Sequence, residues 1–182
     1  MSMPESRYVA VLLLMTLAQP AAAAGGKIAG PNLGQAVPNT EAAQPYPSIY
    51  PDGRGLPAGH GNAVDGRKIY DAQCTACHGS AGRGGSGGQL ISHGPLTGPE
   101  PDPAVDNYWP FATTLFDFTR RAMPMTATGT LSNDEVYAVT AYLLNLSGVI
   151  GENDDINAET LPKIRMPNRD GFVWIDVPKS PR

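Results

Sequence analysis

The residues with the most chemistry in this chain stand together at Cys74-Thr75-Ala76-Cys77-His78. Two thiols with two residues between them face the same way on a short helical turn. Each can therefore add to one vinyl group of a single porphyrin. The histidine that follows at once falls beneath the ring, where its imidazole can bind the iron. Cys-x-x-Cys-His is the attachment signature of a c-type haem. It predicts one covalent haem c held through Cys74 and Cys77, with His78 as an axial ligand of the iron. The chain has 2 cysteines in all, so none is left for a disulfide. Two other readings of the pair carry less. A thioredoxin-like redox pair needs a βαβ context, and no strand-rich segment flanks this one. A zinc site needs four protein ligands, or three and a water, and His60 and His93 are the histidines left to supply them.

An iron that carries electrons without binding gas or substrate needs a sixth ligand, and a thioether opposite an imidazole raises the potential. Met123, just before Pro124, lies in a loop between two helical patterns, where the chain can fold over the distal face of the ring. It is the expected ligand. Met125 would serve if the loop turned differently, and Met166, also before a proline, lies beyond the last helical pattern.

The start of the chain agrees with covalent haem attachment, which takes place on the exported side of a membrane. Arg7 precedes a short apolar run from Tyr8 to Ala18, Gln19-Pro20 breaks it, and Ala21 to Ala24 offers a small-residue cleavage site. This reads as a signal peptide over 1–24, too short for a spanning helix, and implies a periplasmic location. No other segment is apolar enough to cross a bilayer. About 158 residues follow, enough for one domain. The 21 glycines and 18 prolines make the chain loop-rich for a packed domain. A large flat apolar haem resolves that tension, because few helices are needed to surround it. The net charge of −4 excludes nucleic acid as an expected partner.

The elements that must position these residues are few. Residues 25–61 hold prolines at 31, 38, 45, 47, 51 and 57 and read as an irregular arm, with Tyr46, Ile49, Tyr50 and Leu56 as apolar anchors. A first helix is expected over Ala63 to Gln73, with Val64, Ile69 and Tyr70 packing. Gly66 within it is either a close-approach point or a weak first turn. Residues 79–104, with Gly82-Arg83-Gly84-Gly85-Ser86-Gly87-Gly88, read as a loop round the haem edge. A second helix should start near Pro110 and present Phe111, Leu115, Phe118 and Ala122. A third opens on the capping box Ser132-Asn133-Asp134-Glu135 and stops near Gly148. The tail 149–182 shows little period, with Phe172, Val173, Trp174 and Ile175 as a short strand or clasp. The domain plan is therefore a signal peptide (1–24), an N-terminal arm (25–61), a monohaem domain (62–148) and a C-terminal extension (149–182). Both arms are expected to pack on the haem domain and to extend its docking face, so removing the tail should leave the haem spectrum largely intact while weakening electron transfer from a partner.

Cys-x-x-Cys-His, then Met-Pro, then a capped C-terminal helix with Tyr137 and Tyr142 resembles a class I cytochrome c. The resemblance implies a mainly α fold, three to five helices around one covalent haem, here with long irregular N- and C-terminal extensions. Pro51 to Pro57, Tyr108 to Thr114, Arg120 to Pro124 and Lys163 to Phe172 are similar to segments of the cytochrome subunits of periplasmic sulfane (sulfur) dehydrogenases. Related cytochromes serve molybdenum sulfite dehydrogenases. Some members carry two haems, and the single attachment motif here leaves one. The resemblance implies an electron-transfer subunit rather than an enzyme. It would take single electrons from a molybdenum-containing sulfite- or sulfane-oxidising subunit and pass them to a downstream cytochrome or oxidase. A carrier for an alcohol or sugar dehydrogenase would share every haem residue. A haem-based sensor would need an open iron, against which Met123 argues. Tyr108 and Trp109, each an apolar body with a polar handle, are candidates for hydrogen bonds to a haem propionate. Arg120 and Arg121 either pair with propionates or an acidic partner, or serve as favourable charge at a helix C-terminus. His60 and His93, in Gly-rich loops, read as solvated.

Overall fold

The computed structural model describes residues 48–173. The expected signal peptide, Tyr46, Trp174 and Ile175 lie outside the described residues. Asn62 opens helix α1, Ala63–Gln73, by accepting a hydrogen bond from the Asp65 N–H at 3.0 Å, as a preferred capping residue does. The helix buries Ala63, Gly66 and Tyr70, while Val64, expected to pack, is largely exposed. A single turn, α2, spans Thr75–His78, and a second short one, α3, spans Val105–Tyr108. Helix α4, Ala112–Ala122, leads to α5, Asn133–Leu146.

Helix α5 is the centre of the core, with every residue from Val136 to Leu144 buried. Its start is the expected capping box: the Glu135 N–H donates to Ser132 Oγ at 3.3 Å, and Ser132 N–H donates to the Glu135 carboxylate at 2.8 Å. Gly148 follows its cap with φ +70°, the left-handed conformation that ends helices. Gly66 is a close-approach point. A Cβ there would collide with the Ala138 carbonyl and lie 2.9 Å from the Tyr142 Cβ, so α1 rests directly on the α5 backbone. Tyr70 and Tyr142 then stack with ring centres 5.1 Å apart.

One expectation for α4, its buried face, needs correction. The helix begins at Ala112, two residues after Pro110, because Phe111 is held extended in an antiparallel bridge to Arg165. Its buried face is Ala112, Thr113, Leu115, Phe116 and Thr119, not the stripe through Phe111 and Phe118. Phe116 lies against Tyr137 of α5, ring centres 4.4 Å apart, whereas Phe118 is 47% exposed and meets Trp109 edge-on at 5.6 Å. The two threonines in the buried stripe masked it.

The chain after α5 belongs to the same core. Strand β1, His60–Gly61, pairs antiparallel with β2, Ile156–Asn157. A 3₁₀ turn over Leu161–Lys163 follows. Ile156, Leu161 and Met166 are each 2% exposed or less. The tail packs on the haem domain as expected, and more deeply than a docking face requires, since these side chains sit among Leu115, Phe116, Leu143 and Leu144 in one cluster. The expected anchors differ. Ile49 and Leu56 pack on the core, but Tyr50, Phe172 and Val173 are exposed, and no strand forms at 172–173. Tyr137 holds the N-terminal arm by donating from its hydroxyl to the Pro57 carbonyl at 2.9 Å.

Candidate haem-binding site

Cys74 closes α1 and opens α2. Its carbonyl accepts from the Cys77 N–H at 3.1 Å and the His78 N–H at 2.9 Å, so the motif is wound into one turn. The expected helical turn is present. Tyr70 secures it from below, donating from its hydroxyl to the Gly79 carbonyl at 2.9 Å. Both thiols are free; Cys74 is half-buried and Cys77 exposed. Burial first, and the neighbouring Cys77 second, push the Cys74 thiol up to about 11. A thiol is the form that combines with a vinyl group.

His78 is oriented for metal binding. Its Nδ1 lies 2.7 Å from the Gly88 carbonyl. A carbonyl oxygen only accepts, so Nδ1 carries the proton and the Nε2 lone pair is left for a metal. The approach is tight: a Cβ on Gly87 would sit 3.1 Å from the imidazole Cε1, and the Gly87 N–H donates to the Cys77 carbonyl at 2.6 Å. The Gly-rich string is thus a cradle around the motif.

Met123 caps the C-terminus of α4 with extended backbone, half-buried, its N–H bonded to the Thr119 carbonyl at 3.0 Å. Met125 is 78% exposed. Met166, at 1% exposure, lies in the core with Leu115, Leu143 and Leu144. Its thioether is committed to packing.

Tyr108 and Trp109 end α3, and neither the Tyr108 hydroxyl nor the Trp109 indole N–H meets a protein partner among the described residues. Tyr108 lies edge-on to Phe172 at 5.6 Å, and its carbonyl accepts from Asn168 Nδ2 at 2.7 Å. Arg121 pairs with Asp117 one turn back at 2.7 Å. Arg120 lies close enough to Tyr137 to oppose, by its charge, the burial that pushes that phenol up to about 12. His60 bonds Asp155 at 2.9 Å and His93 is exposed, so neither joins the cysteines. Among the described residues no group of three or more His, Cys, Asp or Glu could hold a metal ion. Two free thiols on one turn, an imidazole presenting Nε2, and half-exposed Phe118 and Tyr108 fit a covalently held haem.

The network that orders the cradle had no signal in the sequence. Asp102 accepts from Gln89 Nε2 at 2.6 Å, from the His93 N–H at 2.8 Å and from Arg83 Nη1 at 2.8 Å. These donors, Gln89 foremost, hold its carboxyl well below the usual carboxylate range. Buried Asp106 accepts from the Ser92 N–H and hydroxyl at 2.9 and 3.0 Å.

Helices enclosing an attachment turn of this kind define a c-type cytochrome. Residues 63–147 match the family model described as cytochrome c. The chain belongs to the class I cytochromes c, an electron-carrying family whose members bind haem c covalently. It is similar to a chain in the crystal structure of the sulfane dehydrogenase SoxCD from Paracoccus pantotrophus, at 32% identity and a TM-score of 0.70, over 80% of this chain and 72% of that one. A search of curated proteins found no match. Among the described residues no helix is long and apolar enough to cross a membrane.

Proposed function

We infer that this chain is a periplasmic monohaem electron-transfer subunit. It takes single electrons from a molybdenum-containing sulfite- or sulfane-oxidising partner and hands them to a respiratory acceptor. The observation that carries this reading is the similarity to the sulfane dehydrogenase structure over 80% of the chain. A haem domain alone would account for much less than that. When bound, haem c supplies a one-electron ferric–ferrous couple. The chain's own residues do the rest. Cys74 and Cys77 hold the group covalently, and residues 62–148 form the domain around it. His78 presents Nε2 to the iron while Gly88 keeps Nδ1 protonated. Met123 would supply a thioether ligand, a type that raises the potential. Tyr108 and Trp109 offer an O–H and an N–H to the propionates. Residues 1–24 direct export. Chemistry at sulfur belongs to the partner.

The test is to purify the chain from its native exported fraction with whatever it binds. A molybdenum subunit should co-purify, and sulfite or a sulfane donor should reduce the haem in that complex. Reduction by an alcohol or sugar dehydrogenase, with no response to sulfur compounds, would overturn the partner assignment.

A further inference from the structure

The imidazole of His78 is oriented by a carbonyl that belongs to a loop without regular structure. Gly88 lies in the stretch 79–104, among Gly84, Gly85 and Gly87. Nothing lies within 4 Å of where a Gly88 Cβ would be, so side-chain packing does not fix this residue. Its two neighbours do. On one side Gly87 donates to the Cys77 carbonyl at 2.6 Å. On the other, Gln89 Nε2 donates to Asp102 Oδ1 at 2.6 Å. Asp102 Oδ2 also accepts from Arg83 and from the His93 N–H, each at 2.8 Å. One carboxylate thus gathers three points of the loop, before and after Gly88. It is itself held at both ends: its N–H donates to the Pro95 carbonyl at 2.8 Å, and its carbonyl accepts from Asn107 Nδ2 of α3 at 3.0 Å. The Arg83 and Asp102 side chains are 30% and 27% exposed, sheltered enough for these bonds to compete with water.

We propose that Asp102, acting through Gln89, is a positioning residue for the His78 imidazole and thereby a determinant of the haem potential. The proposal rests on the reading of His78 as the iron's axial ligand. An outer hydrogen bond from a ligating histidine fixes the ring and raises its basicity. A more basic imidazole favours ferric iron. Loosening the Gly88 carbonyl weakens that bond, so the potential rises. Loss of a nearby negative charge would also raise it, so Asp102 alone is not a sufficient probe. Gln89 is neutral and separates the two effects.

The experiment uses the haem-loaded full chain and the variants Asp102→Asn, Gln89→Leu and the double variant. Midpoint potentials are measured, together with solvent exchange of the His78 Nδ1 proton in the ferrous form. Both single variants should shift the ferric-to-ferrous ratio at fixed poise by at least about threefold. That is about 28 mV upward at 59 mV per tenfold change for one electron. Exchange should quicken in both, and the double variant should shift little beyond Asp102→Asn. If Gln89→Leu leaves potential and exchange unchanged while Asp102→Asn raises the potential, only charge matters and the positioning role is overturned. The wild-type His78 ring signals, displaced by the ferric iron, report ligation separately. Their absence overturns the ligand assignment and the proposal with it. Their presence with unchanged variants overturns the role of Asp102 alone.

Discussion

Removing the C-terminal extension should unfold the protein rather than merely weaken its docking. Ile156, Leu161 and Met166 are 2%, 0% and 1% exposed and pack with α4 and α5. Fully burying one such side chain stabilises by about 1.5–3 kcal/mol. Three together contribute roughly 5–9 kcal/mol, an upper estimate because the unfolded chain already buries part of this surface. Total stabilities of single domains run to about 5–15 kcal/mol. Truncation after Gly148 also removes β2 and leaves β1 unpaired. The loss is therefore comparable to the whole, and the truncated chain should lack a cooperative unfolding transition. Leu161→Ala is the gentler probe. It should cost about 2–5 kcal/mol, read as a lower denaturant midpoint at unchanged slope. The assay is guanidinium unfolding of haem-loaded protein followed by far-ultraviolet circular dichroism. A truncated chain that unfolds cooperatively at the full-length midpoint would refute the reasoning.

Gly66→Ala should destabilise by about 1–3 kcal/mol, although alanine is the better helix former by about 1 kcal/mol, because the Cβ meets the α5 backbone; a raised denaturant midpoint would show the helices are free to separate. Met123→Ala should abolish the near-infrared thioether-to-iron band of the ferric protein and lower the potential, with Met125→Ala leaving the band in place; the reverse pattern would move the ligand to Met125. Tyr137→Phe should cost about 0.5–1.5 kcal/mol through loss of the bond to the Pro57 carbonyl, seen as faster proteolysis of the arm preceding His60. The His60 ring should titrate above its ordinary value near 6.5, because Asp155 bonds and attracts its charged form, with Asp134 adding a weaker pull. Its small contribution to the β1–β2 clasp is full below the unfolded value and lost as pH rises through the folded one. Proton resonance titration checks it, and Asp155→Asn should return the midpoint toward the ordinary value.

Local signals were legible and distant ones were not. The attachment turn, the Ser132–Glu135 capping box, the Gly148 stop and the extent of α1 each depend on residues within one or two turns, and each is found where expected. The buried face of α4 was misread because Thr113 and Thr119 lie in it while Phe118, more apolar, does not. Helix α3 is four residues long, too short for any period to show. The pairing of His60 with Asn157 and of Phe111 with Arg165 joins stretches far apart in sequence, each too short for a period to mark it as a strand. The same holds for Asp102, whose partners at 83, 89 and 93 look like ordinary loop polar residues until the chain folds.

The two sides of the site are built with unequal firmness. His78 follows a helix seated on the α5 backbone at Gly66, its next residue is tied to the Tyr70 hydroxyl, and its ring is held by Gly88. Each of those supports is either buried or part of the cradle. Met123 has the carbonyl of Thr119 behind it, followed by a turn in which the Ala127 N–H bonds the Pro124 carbonyl. Beyond it Met125 stands in solvent. Opening the Met123 turn would expose few apolar groups, whereas moving His78 would require α1 to leave α5. Local openings draw on the least buried parts of a structure. With Met123 as the proposed sixth ligand, the thioether is therefore the side of the site that would yield first, while His78 and the two cysteines would still hold the haem.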